Sequence, residues 1–218
     1  MAKSGTFSHG GSSRRASVLN IIGAILITGG LVLLGYYGYL KGTVLYNQHQ
    51  LKEAYRESFF EIPEAAEPFR RVILTEWQPT RLQIPKIGVD LMVIGGEGAD
   101  VFDETLLDKA PVHFQMSDLP GTEPGNVAIA GHRGSRWGFF TDLDLLEPDD
   151  VIYLDTAGYR FTYLVEWIRI VDPYDWSVID STDYPALTLQ TCEPKTGPST
   201  HRLIVRAALE EVAPAPQE

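Results

Sequence analysis

The chain of 218 residues has a single cysteine, Cys192. An intramolecular disulfide is therefore impossible, and so is a structural zinc site of the multi-cysteine kind. Positive charge is also scarce, with 18 Lys and Arg against 29 Asp and Glu and a formal net charge of -11. Three of those cations, Lys3, Arg14 and Arg15, precede every acid, so the chain after residue 40 sets 15 Lys and Arg against all 29 acids. Such a surface repels phosphate backbones, whose binding rests on cations that displace counterions, and a nucleic-acid partner is excluded. The histidines include no close pair of the H-x-x-x-H kind, which argues against a metal site built from His113, His132 and His201. There is no internal repeat, and only one long apolar run.

That run, Ile21 to Leu40, is twenty residues without a charge. At about 1.5 Å per residue it matches the roughly 30 Å hydrocarbon core of a bilayer. The basic residues before it place the N-terminus in the cytoplasm, and Tyr36, Tyr37, Tyr39 and Tyr46 suit the far interface, where amphipathic rings collect. The run ends in tyrosines and Lys41 rather than at a small-x-small cleavage site, so an uncleaved signal anchor is preferred to a removed signal peptide. The expected organisation is a cytoplasmic N-terminus (1–17), a transmembrane anchor (18–40), a helical stalk and linker (41–75), an outer domain (76–209) and a disordered tail (210–218) rich in Pro, Ala and acids.

In the stalk, Leu51, Tyr55 and Phe59 recur every fourth position and form one helical face. The stripe fits packing on the outer domain, on a second copy or on the membrane surface. Pro63 and Pro68 then end the helix. From Thr80 onward short runs rich in β-branched and aromatic residues are bounded by Gly, Pro and Asp: 82–84, 91–94, 126–130, 151–154, 159–170, 186–191 and 203–208. Many short strands, with no comparable helices between them, predict a mainly β, closed or nearly closed barrel. A short helical turn is expected within 137–145.

Two of these runs end in reactive side chains. Leu187 to Cys192 reads LTLQTC and delivers the cysteine at a strand end; ten positions later Arg202 opens the next strand. Gly125 to Gly134 reads GNVAIAGHRG and delivers His132 in the same way, sixty positions before Cys192. Strand ends beside loops hold reactive groups both fixed and accessible. A thiolate is the nucleophilic form of cysteine, and an imidazole can supply or remove the protons that acyl transfer needs. Taken singly, each residue has a plainer reading: an inert buried thiol, a surface histidine, a solvated arginine.

Together they resemble the sortase family. The resemblance lies in the strand ending TLxTC (Thr188 to Cys192), the following Arg202, and the upstream G-N-V-x-I-A-G-H-R from Gly125 to Arg133. It extends to Arg81–Val93, His113 and the turn Pro120–Asn126, and covers about residues 76 to 208. It implies a sortase-type closed barrel of about eight strands with short helices, on the outer face of a bacterial membrane. It also implies a cysteine transpeptidase acting on secreted proteins that carry an LPxTG- or LAxTG-like sorting signal, with an envelope or protein amine as acceptor.

Carried over by residue, the resemblance makes Cys192 the nucleophile, His132 the proton-transfer group and Arg202 the stabiliser of the developing oxyanion. Thr191 and His113 become substrate-binding candidates. No cofactor is implied. Some sortases bind Ca2+, but Glu97, Asp100, Asp103, Glu104 and Asp108 match no defined oxygen-ligand loop and read as solvated loop charge. The wording TLQTCEP, the N-terminal anchor and the lack of a C-terminal span look most like classes D and E. Glu76 to Pro79 lacks the Asp-Pro-aromatic pattern of the pilin-polymerising class, so no lid is carried over. Two rival readings stay open: a thiol peptidase that releases its acyl-enzyme to water, and a non-catalytic anchored β-domain.

Overall fold

The computed structural model describes residues 12–58, 72–96, 104–121, 123–134 and 138–216, without the side chains of 12–18 and 104. The chain divides into two compact units, Met1–Gly42 and Thr43–Glu218. The first belongs to helix α1 (Ser12–Ser58), which is long and apolar enough from Leu19 onward to cross a membrane. Its apolar side chains, among them Leu26, Leu31 and Leu34, are exposed, which is the character of a span rather than of a soluble core helix.

The second unit is a closed barrel of eight strands in the order β1-β2-β3-β4-β7-β8-β6-β5, so the expected architecture holds. Its strands are β1 (Thr80–Ile84), β2 (Val89–Gly95), β3 (Val112–His113), β4 (Gly125–Ala130), β5 (Val151–Thr156), β6 (Tyr159–Val171), β7 (Pro185–Glu193) and β8 (His201–Pro214). β2 pairs with β3, and β4 with β7, in parallel; the other neighbours are antiparallel. The β5–β6 hairpin turns on Ala157 and Gly158, both at positive φ (48° and 78°), the mirror-image turn that suits twisted strands. A short helix α2 (Glu104–Leu107) precedes β3, and a 3-10 turn at Leu143–Leu145 falls within the expected helical stretch.

Leu82, Ile84, Ile129, Leu154, Phe161, Leu187 and Val205 fill the barrel interior. Phe114, Ala128, Val178, Ile179 and Ile204 form a second cluster. Ala128 and Ile204 lie on the opposite strand faces from Ile129 and Val205, so β4 and β8 bury both faces. That explains their unbroken apolar wording. The β6–β7 connection supplies Val178 and Ile179 to this cluster and is pinned by side chains of the barrel. Asn126 donates to the carbonyls of Val178 and Asp180 (3.0 and 3.1 Å), and Arg206 to that of Val178 (2.9 Å).

Two boundaries differ from expectation. β8 continues through Glu210–Pro214, paired with β6, where a disordered tail is expected. Val72, 5% exposed, joins the core, and Ile73 bridges to Gly121, so the domain begins before residue 76. The stalk face packs on the barrel: Tyr55 is buried, and the Gln48 amide both donates to the Met92 carbonyl (3.2 Å) and accepts from its N–H (2.7 Å). Phe59 and the Pro63–Pro68 linker lie outside the described residues.

Candidate active site

The sixty-residue spacing of His132 and Cys192 has a structural cause. β4 and β7 run parallel with Ala130 opposite Gln190, and Gly131 N–H continues the ladder to the Gln190 carbonyl at 3.1 Å. His132 and Cys192 each follow two positions beyond that last pair, so both lie at the same end of the β4–β7 pair, Cys192 still within β7. Across the antiparallel β7–β8 pair, Cys192 stands directly opposite Arg202. Directly opposed residues on antiparallel strands project to the same face, about 5 Å apart at Cβ. Three adjacent strands thus bring the three candidate residues to one end of the barrel.

The loop after β4 is tied down at several points. The His132 carbonyl accepts from Phe140 N–H (2.9 Å), and Thr141 Oγ1 donates to the Arg133 carbonyl (2.7 Å). At Gly131 the Phe140 ring comes so close that a Cβ would lie 2.7 Å from it, which explains the glycine. Arg133, only 3% exposed, crosses to β7: it donates to the Cys192 carbonyl at 3.2 Å and pairs with Glu193, while its other arm reaches Asp144 at 3.1 Å. Sequence reading included Arg133 in the motif but gave it no role. Its only sequence signal is a charge shortly after the apolar run of β4.

Cys192 is a free, half-buried thiol and His132 is half-buried. Arg202 is also half-buried, but its guanidinium turns to the β7–β8 connection, donating to Ser199 Oγ (2.7 Å) and to the His201 carbonyl (3.0 Å). Thr191 alternates to the opposite face from Cys192. It is 2% exposed, and its hydroxyl donates to the Gly131 carbonyl at 2.7 Å, joining the two strand ends rather than facing an open site. His113 is 4% exposed, stacked on Trp77 at 4.1 Å, with Nε2 donating to the Asp118 carbonyl at 2.9 Å. Burial holds its imidazole below the usual range, partly offset by the Asp118 carbonyl bond. Thr191 and His113, the two substrate-binding candidates, are thus held by packing and hydrogen bonds within the fold.

Asp108, read from sequence as solvated loop charge, instead lies beside His132, with Oδ1 3.3 Å from Nε2. Nothing local in the sequence marks this pairing. Glu97, Asp100 and Asp103 lie outside the described residues, and no cluster of three metal-ligating side chains occurs among the described ones. A cavity of about 370 Å3 opens beside Gly125, Tyr163 and Pro185, at the starts of β4 and β7 and thus away from Cys192.

A family profile described as a sortase domain matches residues 82–210, more than half of the chain. The chain belongs to the sortase family. Members of this family are cysteine transpeptidases. The chain is 30% identical over 187 residues to sortase D of Bacillus subtilis, covering 80% of this chain and 89% of that protein. It is 29% identical over 147 residues to sortase SrtE1 of Streptomyces coelicolor, covering 61% of this chain but only 40% of the relative's length. The crystal structure of Streptomyces coelicolor sortase E1, solved with a tripeptide in its active site, superposes with a TM-score of 0.56. That match is 26% identical and covers 63% of this chain and 90% of the other. The class D and E character read from TLQTCEP agrees with these relatives.

Proposed function

We propose that this sortase is a membrane-anchored transpeptidase that attaches secreted proteins to the cell envelope through a thioester on Cys192. The observation that carries the reading is the parallel β4–β7 register. It brings His132 and Cys192 to the same end of the two strands, with Arg202 opposite the cysteine on β8. In the proposed reaction the Cys192 thiolate attacks a backbone carbonyl carbon of the sorting signal. The C–N bond breaks as His132 gives its proton to the departing amine. An incoming amine then attacks the thioester, passes a proton to His132 and releases the thiolate.

Each carbonyl addition puts negative charge on oxygen, and a fixed donor there is worth about 3 to 4 kcal/mol of barrier. Arg202 takes this role by leaving Ser199 Oγ for the oxyanion, to which its planar fork can offer more than one donor. Helix α1 is the anchor, with Lys3, Arg14 and Arg15 on the cytoplasmic side and the barrel outside. The substrates are proteins bearing an LPxTG- or LAxTG-like signal, and the acceptor is an amine of the envelope or of another protein.

The test is mass spectrometry of the full chain in detergent with a panel of such peptides, with and without an added amine, beside Cys192→Ala. A ligated product that needs both the amine and Cys192 is expected. Cleavage without ligation would favour a thiol peptidase. Turnover that survives Cys192→Ala would sink the reading altogether.

A further inference from the structure

The Nε2 atom of His132 is unaccounted for by the site as described. Nε2 is sealed from solvent and makes no hydrogen bond, although the side chain as a whole is 26% exposed. The exposure is therefore carried by other atoms of the side chain. Facing Nε2 is the Asp108 carboxylate, whose Oδ1 lies 3.3 Å away, within ion-pair range but not yet aligned as a hydrogen bond. Arg133 next door is committed to Glu193 and Asp144. Asp108 has no second ion-pair partner among the described residues.

The backbone around Asp108 is well held. Helix α2 closes behind it through Lys109 and Ala110 N–H groups on the Leu106 carbonyl (2.9 and 3.2 Å). Ala110 is fully buried, and the Pro111 carbonyl accepts from Ile94 of β2 at 3.0 Å. The carboxylate itself is 39% exposed, so it can make the small rotation that alignment needs. A firm backbone with an adjustable carboxylate suits a group that orients another residue.

We propose that Asp108 is the positioning residue of His132: it accepts the Nε2 proton and fixes the tautomer in which Nδ1 carries the proton transfer. A neutral imidazole has one N–H and one bare nitrogen, and a partner that accepts from one nitrogen decides which is which. A carboxylate placed this way also compensates the imidazolium that forms when Nδ1 takes a proton, without itself being protonated. Hydrogen bonding between the acid and Nε2 tightens as that charge develops, which is why a loose contact in the free enzyme suffices. The inference rests on the reading of Cys192 and His132 given above.

Two measurements on the full chain in detergent test it, using the wild type, Asp108→Ala and Asp108→Glu. Nitrogen-15 NMR of the neutral His132 ring is expected to report the Nε2–H tautomer in the wild type and a mixture in Asp108→Ala. For thioester formation with the reactive peptide, kcat is expected to fall at least tenfold in Asp108→Ala while KM stays within twofold, with partial recovery in Asp108→Glu. An unchanged tautomer in Asp108→Ala, or unchanged kcat with an active wild type, overturns the role of Asp108. The NMR arm needs no turnover. A tautomer shift in a protein that reacts with no peptide would therefore uphold the Asp108 contact and count against the catalytic reading instead.

Discussion

Arg133 donates to the backbone carbonyl of Cys192, so the residue after the candidate base grips the residue that carries the thiol. The grip is a buried charge shared with Glu193 and Asp144. Replacing Arg133 by Met would leave two carboxylates facing each other's field with no cation between them. The expected loss of stability is about 3 kcal/mol, at the low end for a broken buried pair because both acids are partly open to water. Denaturant unfolding measures it. Arg133→Lys keeps the charge but not the fork, and should recover only part of the loss.

Arg202 and Ser199 separate catalysis from ground-state holding. Arg202→Ala is expected to lower the rate of thioester formation by about 100- to 1000-fold, the effect of losing one oxyanion donor. Ser199→Ala removes only one of the two resting partners of the guanidinium and should leave the rate within about threefold. Single-turnover kinetics distinguish them. Equal losses in both variants would mean that Arg202 acts from its resting position.

His113 should make the fold sensitive to mild acid. Its buried imidazole has a lowered pKa, so the unfolded chain binds a proton at higher pH than the folded one. The stability tied to this group is complete above about 6.5, the ordinary value, and declines as pH falls from there through the folded pKa. Thermal melts from pH 8 to pH 5 should show a falling Tm in the wild type. His113→Phe keeps a ring on Trp77 but cannot be protonated, and its melts should be flatter over the same range.

Truncation locates the true end of the domain. Ending the chain at residue 209 removes Glu210–Pro214, which pair with Tyr159–Thr162, and exposes the barrel at Val212. A clear fall in Tm is expected. Ending it at residue 216 should change nothing measurable by the same melt.

These residues also show where the sequence is transparent and where it is not. β4 and β8 are buried between two apolar layers and read as nearly continuous apolar runs, while β7 alternates Leu187 and Leu189 with Thr188 and Gln190; either pattern makes the strand ends, with His132, Cys192 and Arg202, easy to place. β3 has two residues and no pattern to find. The end of β8 is hidden by a bulge: Thr162 pairs with Glu211 and Tyr163 with Leu209, leaving Glu210 over. Two adjacent acids there break the alternation that marks a strand. Asp108 and His132 meet because β3 pairs antiparallel with β4, Val112 opposite Ala130, and a two-residue strand leaves no local pattern to announce that pairing.

The amide of Gln48 has a consequence beyond holding a helix in place. β2 is paired to β1 along its length but meets β3 only at Ile94 and Gly95, so the Met92 backbone faces outward. An unpaired strand edge invites the edge of another chain. Gln48 occupies both backbone groups of Met92 as a strand of one residue would, and Lys52 sets a charge against Asp90 two positions away. The stalk thereby covers a stretch of strand edge that would otherwise be open to pairing. On the proposed reading of α1 as a membrane anchor, that edge is covered where neighbouring copies would be most concentrated.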